Sequence, residues 1–189
     1  MGVSSWRVGN AVKNSISDSD TLKIKAFSFS GIGFDVRTFS VLKQVIDEGK
    51  IKVEYDSSKN GYAEYDYKSN TIFVGFVVAG TYTETALIIH ECVHAVYDCV
   101  GQKMSTAISE AIAYIVQCQY VYAAHGPGKR LSSTNSTKDL VFKYAWAIAA
   151  CIQEGKPIDK LDKSNLISAI SAHPFYAKNA TSDAGFDGV

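Results

Sequence analysis

The chain has 189 residues, 47% of them hydrophobic, which suits one compact domain with a buried core. Nineteen basic and nineteen acidic residues leave no net charge, which argues against nucleic acid or an anionic membrane as a partner. No run approaches transmembrane length, and residues 1–20 lack the apolar core of a secretory signal peptide. We therefore expect a cytoplasmic protein, or one exported by a leaderless route.

The first fifty residues predict an arm, a strand and a helix. Residues 1–20 show no hydrophobic period, so we expect a flexible N-terminal arm ahead of a single domain over residues 21–175. Apolar residues and lysines alternate over residues 22–26, which indicates a strand with one wet face. An apolar stripe at helical spacing follows, with Asp35 as its N-cap and Gly49 as its end.

Three further strands are predicted over residues 51–55, 63–67 and 71–78. The first alternates apolar and charged residues, the second follows an Asn-Gly turn, and the third is apolar throughout. With the helices on either side, they predict an α+β fold in which a small antiparallel or mixed sheet packs on helices.

The clearest helix runs from a capping box at Thr81 and Glu84 to a stop signal at Gly101. At about 100° per residue, its polar side chains fall in one stripe roughly 120° wide, and its other positions are almost all apolar. The stripe contains no lysine or arginine, unlike an ordinary solvated helix face. Its members are Glu84, His90, Glu91, His94 and Asp98.

The centre of this stripe is a His-Glu-Cys-Val-His motif over residues 90–94. His90 and His94 lie one turn apart on the same face, so both imidazoles can reach one metal ion. Glu91 is offset by one residue and lies beside the ion, where its carboxylate can take a proton from water. Two neutral nitrogen donors and a nearby carboxylate are what amide hydrolysis by a zinc-activated water requires.

Further helices and an irregular C-terminal tail are predicted after the motif. The helices are expected at about residues 105–124, 137–153 and 164–172, and the tail covers residues 176–189. The four cysteines fall inside predicted helices and include no Cys-x-x-Cys pair, so we expect buried thiols rather than metal ligands. A bridge between Cys99 and Cys118 is the alternative.

Glu110 is the expected third ligand of the metal. It is the only carboxylate between Asp98 and Asp139. A turn is expected over residues 101–104. If the helices on either side of this turn fold back as an antiparallel pair, the midpoint between His94 and Glu110 falls at Gln102, inside the turn. Equal rises of about 1.5 Å per residue then bring both residues to the same level. The alternative is a solvated first-turn acid favoured by the helix dipole.

The segment over residues 86–119 resembles the zincin metallopeptidases, and specifically the gluzincin branch, in which a Glu on the next helix completes the zinc site. The resemblance implies a minimal zincin-like domain with its zinc site on an antiparallel helix pair. It implies His90, His94 and Glu110 as ligands, Glu91 as general base, and hydrolysis of peptide bonds in a peptide or protein substrate. No third His follows at the short metzincin spacing.

A zinc peptidase also benefits from a donor that stabilises the tetrahedral oxyanion, commonly a His or Tyr near the metal. Tyr114 is the first candidate, because helical spacing puts it on the same face as Glu110. The thermolysin-like version of the pattern has an Asp at that position. His125, His173 and Tyr176 are the other candidates. His125 is also the main rival ligand, although it lies some 20 Å from Glu110 along the helix.

Two features around the motif are left open by the sequence. An extended substrate can pair by strand addition with the sheet edge nearest the metal, and either residues 63–67 or residues 71–78 can form that edge. Asp98 is either a carboxylate partner of a ligand histidine or a solvent-facing acid near a helix end.

Two other functions are compatible with the sequence. A catalytically inactive zincin-like binding domain would share the fold and the metal and differ only in turnover. A helical interaction domain with an accidental motif would bind no metal at all, so a stoichiometric metal assay separates it from the first two functions.

Overall fold

The computed structural model describes residues 5–132 and 136–189. These residues form six α-helices and two small β-sheets, so the predicted α+β class is confirmed. The helices are α1 (Ser5–Ser17), α2 (Thr38–Asp47), α3 (Tyr82–Cys99), α4 (Thr106–His125), α5 (Ser136–Gln153) and α6 (Lys160–Ala172). The strands are β1 (Phe27–Phe29), β2 (Ile32–Phe34), β3 (Lys52–Tyr55), β4 (Ala63–Asp66) and β5 (Thr71–Val74).

The chain divides into two compact units. The first unit holds α1, α2, β3, β4, β5 and α3, and its described residues are 5–22, 37–102 and 185–189. The second unit holds β1, β2, α4, α5 and α6, and its described residues are 23–36, 103–132 and 136–184. None of the helices in the described ranges combines the length and the apolar character needed to cross a membrane.

The first unit begins with α1, and the expectation of a flexible arm over residues 1–20 is therefore wrong for the described residues. Val8, Val12 and Ile16 recur every fourth residue and are buried, so α1 packs one narrow apolar face within the unit, in contact with α2, β3 and α3. A stripe of three residues beside Gly9 is too sparse to be recognised from hydrophobic period alone.

A mixed three-stranded sheet forms the centre of the first unit, in the order β3-β5-β4. β3 runs parallel to β5 and β4 runs antiparallel to it. Because β5 has a neighbour on each side, it is not an edge strand, whereas β4 is. The N–H of Gly75 donates to the C=O of Tyr62 at 2.8 Å. Along an antiparallel strand, every second residue is hydrogen-bonded to the neighbouring strand. Because Tyr62 is such a residue, the N–H and C=O groups of Ala63 and Tyr65 point away from β5.

The helix α2 begins later than expected. Its N-cap is Arg37, which makes no capping bond with its side chain, so the prediction of Asp35 as the cap is wrong. Residues 36 and 37 form a turn between the end of β2 and the helix, and this turn delays the start. The helix ends before Gly49, as predicted, because Gly49 adopts a φ of +72° that favours glycine.

The prediction of a strand over residues 22–26 is wrong, because the first strand of the second unit, β1, begins only at Phe27. The N–H of Lys25 donates to Oε1 of the buried Gln119 at 3.0 Å, and the side-chain amide of Gln119 donates back to the C=O of Lys25 at 3.3 Å. These bonds occupy the backbone groups that a ladder would need. The strands β1 and β2 instead form a hairpin whose turn, Ser30 and Gly31, has positive φ at both residues.

The three helices of the second unit pack on one another through apolar faces. Their fully buried side chains include Ile112, Ile115, Val121, Val141, Ile148, Leu166 and Ile170. The tail over residues 176–189 contains turns and one isolated bridge, between Ser105 and Asp183. Within this unit the N–H of Thr106 donates to the C=O of Ser182 at 2.9 Å, so the tail also binds the start of α4.

Candidate metal centre

The helix α3 carries the His-Glu-Cys-Val-His motif, and the predicted capping box is present at its start. The hydroxyl oxygen of Thr81 accepts the backbone N–H of Glu84 at 3.2 Å, and the carboxylate of Glu84 accepts the N–H of Thr81 at 2.9 Å. Each bond satisfies an amide near a helix start that has no intrahelical partner. The motif therefore lies in the interior of a helix with a fixed first turn.

His90 and His94 lie side by side on one face of α3. Their ring centroids are 5.0 Å apart, and the ring planes are inclined at 73°. His90 is 5% exposed and His94 is 8% exposed. The ring of Phe186 packs on His94, with 6.3 Å between the two ring centroids. Two buried imidazoles one turn apart can supply nitrogen donors to a single ion.

The carboxylate of Glu91 is bound by the edge strand of the sheet. The backbone N–H of Tyr65, in β4, donates to Oε2 of Glu91 at 2.8 Å. This N–H points away from β5, so the bond costs the sheet none of its own hydrogen bonds. Sequence reasoning missed Tyr65, because strand alternation shows which residues share a face but not which helix lies against the edge.

Asp98 is fully buried, so the expectation of a solvent-facing acid is wrong. Its Oδ2 accepts the hydroxyl of Tyr65 at 2.6 Å, and its Oδ1 accepts the N–H groups of Asp187 at 3.0 Å and Gly188 at 3.3 Å. Burial, and then the bond to Asp98, raise the pKa of Tyr65 above its ordinary value of 10.0. The tyrosine therefore keeps its proton and acts as the donor.

The second unit brings together Glu110 and two of the candidate oxyanion donors. Glu110 lies near the start of α4, whose N-cap is Ser105. The hydroxyl of Tyr176 donates to the Glu110 carboxylate, and the hydroxyl of Tyr114 lies 3.2 Å from that of Tyr176. Phe142 packs edge-on against Tyr114, with ring centroids 5.5 Å apart. The fold thus adds a residue from the C-terminal tail to the Glu110 and Tyr114 pair expected from helical spacing.

The electrostatic surroundings keep Tyr176 protonated. Burial, followed by the charge of Glu110, raises the pKa of Tyr176 well above its ordinary value. Burial and Lys138 lower the pKa of His173, while Glu110 acts in the opposite direction. The His173 ring packs on Tyr176 with 5.2 Å between centroids, and its Nδ1 accepts the N–H of Phe175 at 3.2 Å. His173 is therefore a neutral ring that supports Tyr176.

The remaining candidate, His125, is the last residue of α4 and is exposed. It lies about 20 Å from Glu110 along the helix axis by the usual rise per residue.

The four cysteines are free, and the expectation of buried thiols is wrong for Cys99 and Cys151, which are half-buried. Cys92 and Cys118 are fully buried, and burial raises the pKa of both thiols. Raised pKa values favour the neutral thiol, which is a poor metal ligand.

Scanned against protein-family models, the chain matches none. Neither the curated proteins nor the solved structures give a match to it.

Proposed function

We propose that this protein is a zinc-dependent metallopeptidase in which His90, His94 and Glu110 hold the zinc. The observation that carries the proposal is the pair of buried imidazoles on one face of α3, with ring centroids 5.0 Å apart. We infer that these three side chains together form the group that holds one metal ion. Two imidazoles and a carboxylate are a donor set typical of catalytic zinc, which keeps a further position for water or substrate.

Glu91 is the proposed general base. Zinc, when bound, would lower the pKa of the attacking water and polarise the substrate carbonyl. Glu91 is adjacent to His90 in sequence but turned about 100° around the helix, so its carboxylate is suited to the proton of that water. The N–H of Tyr65 fixes the orientation of Glu91. The same carboxylate then delivers the proton to the leaving amine.

Tyr176 is the residue that we assign to the oxyanion. Its hydroxyl is within hydrogen-bond reach of Glu110, a proposed ligand, and its raised pKa keeps the donated proton in place. The hydroxyl of Tyr114 lies 3.2 Å from that of Tyr176, and the His173 ring packs on Tyr176. We therefore propose Tyr114, the donor favoured by sequence, as a residue that orients Tyr176.

The proposed substrate is an extended peptide or protein segment that pairs with β4. This strand is the sheet edge whose Tyr65 contacts the base. The N–H and C=O groups of Ala63 point away from β5, where an added strand can reach them. Tyr62, just before β4, is largely exposed, so an apolar side chain of the substrate has a surface to contact at that end.

The decisive experiment measures zinc content and peptide hydrolysis on the same preparations. We expect one zinc per wild-type chain and cleavage of members of a peptide library. His94→Ala should lose both properties, whereas the matched variant His125→Ala, at the exposed end of α4, should keep both. Zinc without cleavage of any peptide would support the inactive binding domain. Failure to bind any metal after zinc loading would end the peptidase proposal.

A further inference from the structure

The carboxylate of Asp98 joins three segments of the first unit. It is fully buried on α3, yet both of its oxygens are hydrogen-bonded. Tyr65 in β4 donates to Oδ2, and the N–H groups of Asp187 and Gly188 donate to Oδ1. The side-chain amide of Asn70, in the orientation that satisfies its own groups, adds a donor 3.2 Å from Oδ2. A buried charge is tolerated only with such bonds, so Asp98 holds these segments to α3.

The first branch of this network reaches Glu91. Tyr65 donates its hydroxyl to Asp98 at 2.6 Å and its backbone N–H to Glu91 at 2.8 Å. One residue thus carries both bonds. Because the side chain of Tyr65 is anchored at Asp98, its N–H is fixed at the point where it holds the Glu91 carboxylate.

The second branch reaches His94. Phe186 precedes the Asp187 amide that Asp98 binds, is 3% exposed, and packs on the His94 ring. The path of the chain before it is also set: Gly185 has a φ of +91°, and a Cβ there would lie 2.5 Å from the ring of Tyr67. L side chains rarely adopt such a positive φ, so another residue at this position would strain the backbone. The anchored tail therefore holds Phe186 against the histidine.

We propose that Asp98 is a positioning residue that orients Glu91 through Tyr65 and His94 through Phe186. The inference rests on the proposed function, since it assigns to Asp98 the alignment of a base and a ligand. In this proposal Asp98 acts on each of them through another residue. Misplacement of a reacting group by about 1 Å can cost about 10²-fold in rate, and loss of an outer-shell partner typically costs about 10–100-fold in metal affinity.

The two branches are separated by single substitutions. Tyr65→Phe removes only the hydroxyl, so kcat should fall by about 10-fold or more while KM and zinc affinity stay within about threefold of wild type. Phe186→Ala removes the ring against His94, so zinc affinity should fall by about 10-fold. Asp98→Leu keeps the shape of the side chain but removes both acceptor oxygens, so it should show both effects. Tyr55→Phe, an exposed tyrosine on the opposite edge strand β3, should show neither.

Double variants test whether Asp98 acts through these residues. Tyr65→Phe added to Asp98→Leu should lower kcat little further, and Phe186→Ala added to Asp98→Leu should lower zinc affinity little further, because each pair removes one branch. Fully multiplicative effects would overturn the proposal. So would an Asp98→Leu protein that is less stable but, in its folded fraction, has wild-type kcat and zinc affinity.

Measurements on the zinc-free protein separate this inference from the proposed function. In wild type the amides of Asp187 and Gly188 should be protected from hydrogen exchange, and the ring resonances of His94 should be those of a fixed side chain. Asp98→Leu, which leaves no acceptor for these amides, should remove the protection and broaden those resonances. If wild type bound no zinc, the peptidase proposal would fail by itself. Unchanged His94 resonances and amide protection in Asp98→Leu would then overturn the positioning role.

Discussion

The backbone N–H of Tyr65 donates a 2.8 Å hydrogen bond to Oε2 of Glu91. This bond joins the edge strand of a sheet to the carboxylate beside two buried histidines. The hydroxyl of the same tyrosine is bound to Asp98, on the same helix as Glu91. One residue thus links the strand proposed to bind substrate to the group proposed to take the proton.

Glu91→Gln should keep zinc and lose hydrolysis. The amide is nearly isosteric and can still accept the N–H of Tyr65, but it cannot take a proton from water. We expect kcat to fall by about a thousandfold with zinc content unchanged. Parallel metal analysis and steady-state kinetics measure both quantities. Loss of the metal in Glu91→Gln would make Glu91 a ligand, and full activity would make it a bystander.

Glu110→Ala should weaken zinc binding by more than the roughly 10–100-fold typical of losing an outer-shell partner, because a ligand itself is removed. Turnover should disappear with it. Zinc affinity is measured by competition with a chelator of known affinity. Asp139→Ala, which removes an exposed carboxylate from α5, is the matched control and should bind zinc as wild type does. Equal affinities in both variants would exclude Glu110 from the metal site.

Tyr176→Phe should lower kcat by about 10²-fold with zinc retained, which is the usual cost of removing one oxyanion donor. Tyr114→Phe should have a smaller effect, about 10-fold or less, because its hydroxyl orients Tyr176 without contacting the oxyanion. Single-turnover kinetics on one peptide substrate give the comparison. If Tyr114→Phe were the more damaging variant, the two assigned roles would be exchanged.

Thr81→Ala should destabilise the protein by about 1 kcal/mol, because it removes the acceptor for the N–H of Glu84 at the start of α3. Urea unfolding monitored by circular dichroism measures the change. Glu84→Gln retains a side-chain acceptor for the N–H of Thr81 and should lose clearly less stability. A stability loss equal to that of Thr81→Ala would mean that the charge, rather than the capping bond, matters.

Stability should fall as the pH rises above 10. The pKa of Tyr65 is raised in the folded chain above its ordinary value of 10.0, by burial and by the bond to Asp98. The unfolded chain therefore loses this proton at a lower pH than the folded chain, so the stabilisation is complete below pH 10 and declines above it. Urea unfolding between pH 9 and pH 11.5 measures the slope. Tyr65→Phe should reduce that slope, and an unchanged slope in this variant would mean that another group causes the loss.

The local features of the site could be read from the sequence. The capping box at Thr81 and Glu84, and the pairing of His90 with His94 on one helix face, depend on residues three or four positions apart. Helix geometry fixes such spacings whatever surrounds the helix. Three strands of the first unit were likewise predicted near their observed positions, because alternation and turn residues are local signals as well.

The tertiary structure decided which distant groups meet. The partners of Asp98 are 33 and 89 positions away in Tyr65 and Asp187, and the N–H that holds Glu91 is 26 positions away. The hydrophobic period of a sequence does not indicate which residues make contact across such separations. A distant contact also explains why residues 22–26 are not a strand. The side chain of the buried Gln119, 94 positions from Lys25, is hydrogen-bonded to the N–H and C=O of Lys25, which a β-strand would use to pair with its neighbour.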